Sequence, residues 1–93
     1  MIQLNFLLCD EVLLERRRGA GPEGARYDPG EKQRCRLSLH PGGKYSATAV
    51  FGPEVRLRPG DRIRTEEALL QVCTVEEATD LRGRLHHSEV KLA

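Results

Sequence analysis

The chain has 93 residues, of which 39% are apolar, 31% are charged and 4% are aromatic, and it contains no tryptophan. A chain this short forms one domain with a thin core, because it buries only about 60–65% of the surface that its unfolded form exposes. No apolar run approaches the ~20 residues of a membrane-spanning helix, and the first residues lack the basic segment and cleavage site of a signal peptide. We therefore expect a soluble intracellular domain.

The net charge is only +1, but the charges are unevenly distributed along the chain. Residues 1–15 carry three acidic and no basic residues, residues 16–64 carry twelve basic and five acidic residues, and residues 65–93 carry three basic and six acidic residues. A basic middle between acidic ends suits a polyanion, an acidic partner or head-to-tail contact between copies. An ordinary solvated surface is the alternative interpretation.

The first element is an apolar segment, Ile2 to Leu14, which is interrupted by Asp10 and Glu11. A bent strand is favoured, although its length also permits a helix. Residues 19–31 then contain four glycines and two prolines in thirteen residues, a density that predicts a loop without regular structure. Loops of this length are uncommon in a compact domain, so we expect a functional or mobile segment.

Alternation of apolar and polar residues predicts two strands after this loop. Cys35, Leu37 and Leu39 alternate with polar residues in a half-buried strand, and Pro41-Gly42-Gly43 supplies a hairpin turn. The next strand runs from Tyr45 to Phe51.

Further short strands follow at close intervals. Val55 and Leu57 predict one that ends at a type II turn at Pro59-Gly60. Arg62 to Arg64 is a short strand, and Thr65 to Ala68 is a turn or a single helical turn. Leu69 to Val75 is a central strand with Leu70, Val72 and Thr74 on one face. After a turn at Asp80 to Gly83, residues 85–92 close the chain, with Val90 and Leu92 sharing a face.

These elements place residues 1–93 in the all-β class, as a barrel or a sandwich. We predict a small single-domain β-barrel of six or seven short strands with one long Gly/Pro-rich loop at residues 19–31.

Catalytic and metal-binding motifs are weak. The paired acidic residues lie in or beside turns, no cysteine or serine has a neighbouring base, and no phosphate-binding glycine motif is present, so we expect no enzyme and no cofactor. Cys9, Cys35 and Cys73 form no CxxC pair and are expected to be small buried residues. His86 and His87 are adjacent in a strand, where side chains point to opposite faces, so no metal site is expected there.

Alternating arginines are the firmest functional signal. They fall in three pairs, each on one strand face: Arg34 and Arg36, Arg56 and Arg58, and Arg62 and Arg64. If these strands pair, the six guanidinium groups form one stripe that can contact phosphates or a neighbouring subunit. One hypothesis is therefore a small nucleic-acid-binding β-barrel, although the interleaved aromatics of single-strand binders are absent. A subunit of a host enzyme is a further hypothesis with only the barrel in its favour.

Three segments of the second half resemble one protein family. They are Pro59-Gly60-Asp61-Arg62-Ile63, then Leu70-Gln71-Val72-Cys73-Thr74-Val75, and finally Gly83-Arg84-Leu85-His86-His87-Ser88-Glu89-Val90-Lys91-Leu92. In this order they look like the closing half of tailed-bacteriophage head-closure proteins, which are head–tail connector or stopper subunits. The resemblance covers about residues 55–93 in motif detail, and the first half is similar in layout only.

The resemblance implies a non-catalytic β-barrel that assembles as a homo-oligomeric ring below the portal and its adaptor. For such a subunit we expect weak or no self-association in dilute solution. Such a ring closes the DNA exit channel and docks the tail, so it implies assembly in the bacterial cytoplasm and a final place in the virion. Long loops of these proteins close the channel or grip neighbours, and the matching candidate residues here are Tyr27, Asp28 and Glu31. The apolar start and the scarcity of aromatics depart from the family pattern.

Overall fold

A computed structural model describes residues 10–22 and 24–93. Within these ranges the chain forms only strands and turns, so there is no helix that could cross a membrane. The strands are β1 (Asp10–Glu15), β2 (Arg17–Gly21), β3 (Gly24–Tyr27), β4 (Glu31–Leu39), β5 (Ala47–Phe51), β6 (Arg62–Arg64), β7 (Leu69–Thr79) and β8 (Leu85–Leu92).

Six of these strands close into an antiparallel barrel in the order β1-β4-β5-β8-β7-β6. Closure comes from β1, which pairs with β4 on one side and with the three-residue β6 on the other. A closed barrel leaves no unpaired edge of the kind that promotes aggregation. The predicted all-β class and β-barrel are therefore confirmed.

The core fills the inside of this barrel with inward residues from alternate strand positions. The buried apolar residues are Val12, Leu14, Cys35, Ala47, Ala49, Phe51, Val55, Leu57, Ile63, Leu70, Val72, Val90 and Leu92. Phe51 is the only aromatic side chain among them. Val55 and Leu57 are buried, but the prediction of a strand there is wrong, because their segment between β5 and β6 is irregular.

The prediction of an irregular loop over residues 19–31 is wrong in most of its length. Strands β2 and β3 pair antiparallel as a two-stranded ribbon outside the barrel, with Ala20 opposite Ala25 and a register irregularity between Arg17 and Gly19. Gly19 and Gly24 have φ values of 143° and 107°, so glycine permits this ribbon where other residues would be strained. Nearly all ribbon residues are exposed.

The first predicted strand is confirmed where the structure describes it. Residues 10–15 form β1, with Val12 and Leu14 facing the core. Residues 1–9, which include Cys9 and the apolar start of the predicted segment, lie outside the described residues. The choice between strand and helix is thereby settled only for residues 10–15.

Several predicted turns are confirmed. Asp61 N–H donates to Arg58 O over 3.1 Å, and Gly60 has a φ of 100°, so residues 58–61 form the expected type II turn. The turn at Asp80 to Gly83 closes with a 3.0 Å bond from Gly83 N–H to Asp80 O. Residues 40–46 connect β4 to β5 by a longer turn, so β5 begins at Ala47 and not at Tyr45.

One face assignment in β7 is wrong. The sequence alternation places Thr74 with Leu70 and Val72, but the pairing with β8 shifts register between Val72 and Thr74. The extra residue at Cys73 moves the alternation by one position. As a result Val75 packs against the core and Thr74 is exposed.

Candidate functional site

The six predicted arginines lie in three separate groups and do not form one stripe. Arg34 and Arg36 are exposed on β4, whereas Arg62 and Arg64 lie on β6, and strand β1 with its acidic residues separates the two. Arg56 and Arg58 belong to the irregular connection that precedes β6. A single stripe requires these strands to pair directly with one another, and they do not.

Arg62 and Arg64 clamp β6 to β1 through one carboxylate. Arg62 Nη2 lies 2.7 Å from Glu15 Oε1, and Arg64 Nε lies 3.2 Å from Glu15 Oε2. Burial of the Glu15 carboxyl acts to raise its pKa, but the hydrogen bonds and charges of Arg64 and Arg62 outweigh burial and hold the pKa below its ordinary value. These two arginines therefore hold β6 against β1, where the barrel closes.

Arg56 and Arg58 instead join three arginines that directly follow β1. They line an open groove of about 370 Å³, which we call the arginine groove, formed by Arg16, Arg17, Arg18, Asp28, Arg56, Arg58 and Asp61. Five arginines and two aspartates give its lining an excess of positive charge. The groove lies where the ribbon leaves the barrel.

Asp61 organises this groove from a buried position. Its side chain is only 3% exposed, and its two oxygens accept hydrogen bonds from Arg17 N–H and Arg58 N–H, each over 2.9 Å. The Asp61 backbone carbonyl also accepts from Val72 N–H of β7 over 2.8 Å. One residue therefore ties the start of the ribbon, the type II turn and the barrel wall together.

The guanidinium groups of the groove differ in their partners. Arg16 reaches Arg56 O, Arg18 pairs with Asp28, and Arg56 Nη1 lies 3.0 Å from Glu77 Oε2 on β7. Both Asp61 oxygens accept from backbone amides, and the guanidinium groups of Arg17 and Arg58 form no ion pair with any residue in the described ranges. Two cations of the groove thus lack an intramolecular carboxylate partner there.

The predicted loop residues lie at the base of the ribbon. Tyr27 Oη donates to Gly60 O over 3.1 Å, and the Arg62 guanidinium carbon lies 3.6 Å from the centre of the Tyr27 ring. Asp28 pairs with Arg18, and Glu31, the first residue of β4, lies 3.7 Å from Arg16. Within the chain these residues attach the ribbon to the barrel, and their contact with a channel or neighbour stays a prediction.

The opposite end of β1 carries the opposite charge. An acidic groove of about 270 Å³ is lined by Asp10, Glu11, Val12, Leu37, Leu39, Thr65, Glu66, Glu67, Ala68 and Leu70. Asp10 accepts a 2.9 Å hydrogen bond from Leu37 N–H, whereas Glu66 and Glu67 are exposed in the turn between β6 and β7. The molecule therefore has a basic end at the ribbon and an acidic end across the barrel.

The expectation that His86 and His87 point apart is wrong. A register shift between Ala78 and Thr79 of β7 places an extra residue of β8 at this point and turns both rings to the same side. Their Nδ1 atoms lie 2.8 Å apart, and His87 Nε2 lies 3.3 Å from Glu89 Oε1. In residues 10–22 and 24–93, however, no three potential ligands cluster as a metal site requires.

The two described cysteines occupy different environments. Cys35 is fully buried in the core, as expected, whereas Cys73 is half-buried at the β7 bulge. The Cys73 thiol lies 3.6 Å from Gln71 O. Neither cysteine belongs to the arginine groove.

Sequence reasoning missed the part of the groove that comes from residues 16–18. The available signal was the run of three arginines directly before the glycine-rich segment. Alternation within the predicted strands does not reach these residues, because they lie between the first strand and the glycine-rich segment. The role of Asp61 had no local signal, since its hydrogen bonds reach Arg17, 44 positions away.

Comparison with protein-family models and with curated proteins found no match for this chain.

Proposed function

We propose that this protein is a structural subunit of a phage or prophage head–tail connector, where copies form a ring that closes the DNA exit channel and docks the tail. The resemblance of residues 55–93 to head-closure proteins motivates the proposal. Its partners are then the portal or adaptor and tail proteins, and its place is the virion, after assembly in the bacterial cytoplasm. No catalytic step is part of this function.

The projecting ribbon is the structural observation that carries the proposal. A two-stranded hairpin is at best marginally stable alone in water, and this one is exposed on both faces. Among the described residues, the contacts that hold it lie at its base, at Tyr27, Asp28 and Asp61. A ribbon of this kind gains stability when a neighbouring subunit covers it. In a ring, each subunit can cover the ribbon of the next one.

Charge complementarity supports a second copy of this chain as that neighbour. Arg26 is exposed on β3 and has no ion pair with a described residue, while Glu66 and Glu67 are exposed at the acidic groove. Leu39 and Leu69, at 62% and 45% exposure, add apolar surface to the acidic end. Contact between ends of opposite charge repeats from copy to copy, as a ring requires.

Affinity purification of the tagged protein from its native host, with mass spectrometry of the captured proteins, tests this function. We expect portal, adaptor or tail proteins together with untagged copies of the chain. Capture of neither particle proteins nor further copies, from cells that produce particles, would contradict the proposal.

A charge reversal at the acidic groove makes the test specific. We expect Glu66→Lys with Glu67→Lys to abolish recovery of untagged copies, because the contact then joins two basic surfaces. The matched control, Glu54→Lys with Glu76→Lys, makes the same charge change at exposed positions outside the acidic groove. Equal loss of recovery in both variants would show that net charge and not this groove is responsible.

A further inference from the structure

The arginine groove combines features of a phosphate-binding surface. Guanidinium groups match phosphate oxygens with paired N–H donors and stay charged at any physiological pH. Arg17 and Arg58 offer two such groups without an ion-pair partner among the described residues. Their backbones are fixed by the buried Asp61, so the groove is held in place before any ligand arrives.

The surroundings of the groove favour an extended polyanion over a small anion. The groove is open, and the strand pairing places the β7–β8 turn at the same end of the barrel. That turn carries the exposed Arg82, which has no ion pair in the described ranges. A ladder of phosphates along a polymer can contact such spread cations together, whereas a single phosphate reaches only one or two of them.

The side chains around the groove also favour a duplex over a single strand as the ligand. Proteins that bind single strands stack bases on aromatic side chains. No aromatic side chain lines this groove, and Arg62 stacks on one face of the nearby Tyr27 ring. The groove therefore suits the regularly spaced phosphates of a double helix, read without base contacts.

We propose that the arginine groove binds the phosphodiester backbone of duplex DNA through Arg17 and Arg58, without sequence preference. This site differs from the stripe predicted from the sequence, since Arg34, Arg36, Arg62 and Arg64 take no part. It goes beyond the connector proposal and is independent of it, because a single copy of the chain already contains the complete groove.

Fluorescence anisotropy of a labelled 20-base-pair duplex, titrated with the purified full chain over a range of salt concentrations, tests this site. We expect binding at ~50 mM salt, with log affinity falling linearly against log salt. Arg17→Gln with Arg58→Gln should flatten that slope by about 1.8, since each phosphate contact contributes about 0.9. These substitutions leave the backbone amides that Asp61 holds unchanged, and an unaltered thermal unfolding midpoint verifies the fold.

The control variant Arg34→Gln with Arg36→Gln removes the same charge from the barrel wall and should leave the slope unchanged. Equal flattening by both variants, or no binding by the wild-type chain at ~50 mM salt, would overturn the proposal. Tighter binding of a single strand of equal length, or of duplex RNA, would also overturn it and would assign the groove to that ligand. None of these outcomes bears on recovery of particle proteins or untagged copies, so the connector proposal is judged separately.

Discussion

At the scale of single residues, the Asp61 side chain joins two segments that are far apart in the sequence. It is buried, and its carboxylate serves two backbone amides that lie in different segments, Arg17 and Arg58. Buried amides that lose their acceptor cost far more than amides that water can reach. The structure therefore gives Asp61 a role in stability as well as in shaping the groove.

We expect Asp61→Ala to lower the free energy of unfolding by about 1–3 kcal/mol, because two N–H groups lose their acceptor. Asp80 provides a matched control, since its Oδ1 also accepts from two backbone amides, those of Arg82 and Arg84, but in an exposed turn. Urea denaturation should show a smaller loss for Asp80→Ala. A loss at Asp80 equal to that at Asp61 would contradict this account of burial.

Glu15 is the second residue that we expect to contribute strongly to stability, because it bridges both arginines of the shortest barrel strand. We expect Glu15→Gln to cost about 1–2 kcal/mol at pH 7, as for charged hydrogen bonds at a partly exposed site. Glu11→Gln, an exposed change on the same strand, should stay within about 0.5 kcal/mol.

The lowered pKa of Glu15 also sets the direction of a pH effect. A carboxyl with a folded pKa below its ordinary value of 4.5 stabilises the fold above that value, and the contribution disappears as the pH falls through the folded pKa. The stability difference between the wild type and Glu15→Gln should therefore shrink between pH 5 and pH 2 in urea titrations. A difference that stays constant over this range would contradict the ion-pair explanation.

At the scale of elements, most barrel strands were predictable because each has its own alternation. The stretch from Arg34 to Leu39, the strand Arg62 to Arg64 and the closing strand Leu85 to Leu92 all appear where that alternation places them. The ribbon was not predictable in this way, since glycine and proline dominate its local signal. Its anchors, Gly60 and Asp61, are more than thirty positions away from it.

The β-bulges are a second feature of the strands that could not be predicted from the sequence. One extra residue at Cys73 exchanges the faces of Thr74 and Val75, and another near His86 brings two histidines together. A bulge arises from pairing with the neighbouring strand, so the strand's own residues carry no clear sign of it. Alternation alone therefore misassigns every face beyond the bulge.

The β7 bulge makes a direct prediction. Val75→Ala should lower the free energy of unfolding by about 1 kcal/mol, since Val75 packs on the core, whereas Thr74→Ala should cause a smaller loss because Thr74 is exposed. Denaturant midpoints of the two variants measure this. A larger loss at Thr74 would restore the alternation inferred from the sequence and would exclude the bulge.

At the scale of the whole molecule, the barrel separates two surfaces of opposite charge. Strand β1 carries the acidic groove at its start and leads into the arginine groove at its end. The uneven charge along the sequence predicted a basic face or a head-to-tail contact, with an ordinary solvated surface as the alternative, but not which arginines lie together. That grouping depends on strand order, in which β1 separates β4 from β6.

The proposed assembly uses these surfaces differently. The ribbon and the acidic groove meet between copies, whereas the arginine groove at the ribbon base faces a polyanion. The connector proposal requires the ribbon to be covered by a neighbour in the assembled state and exposed in the isolated chain. Contact of the ribbon tip with another copy is therefore its most direct consequence.

Photo-cross-linking from the ribbon measures that contact. Ala20→p-benzoyl-phenylalanine places the reactive group on an exposed position of β2, and the same purified variant in dilute solution serves as the control. In complexes isolated from the native host, we predict a cross-link to residues of the acidic groove in a second copy, and we predict none in the dilute control. A ribbon that cross-links to no other copy in isolated complexes would contradict the ring.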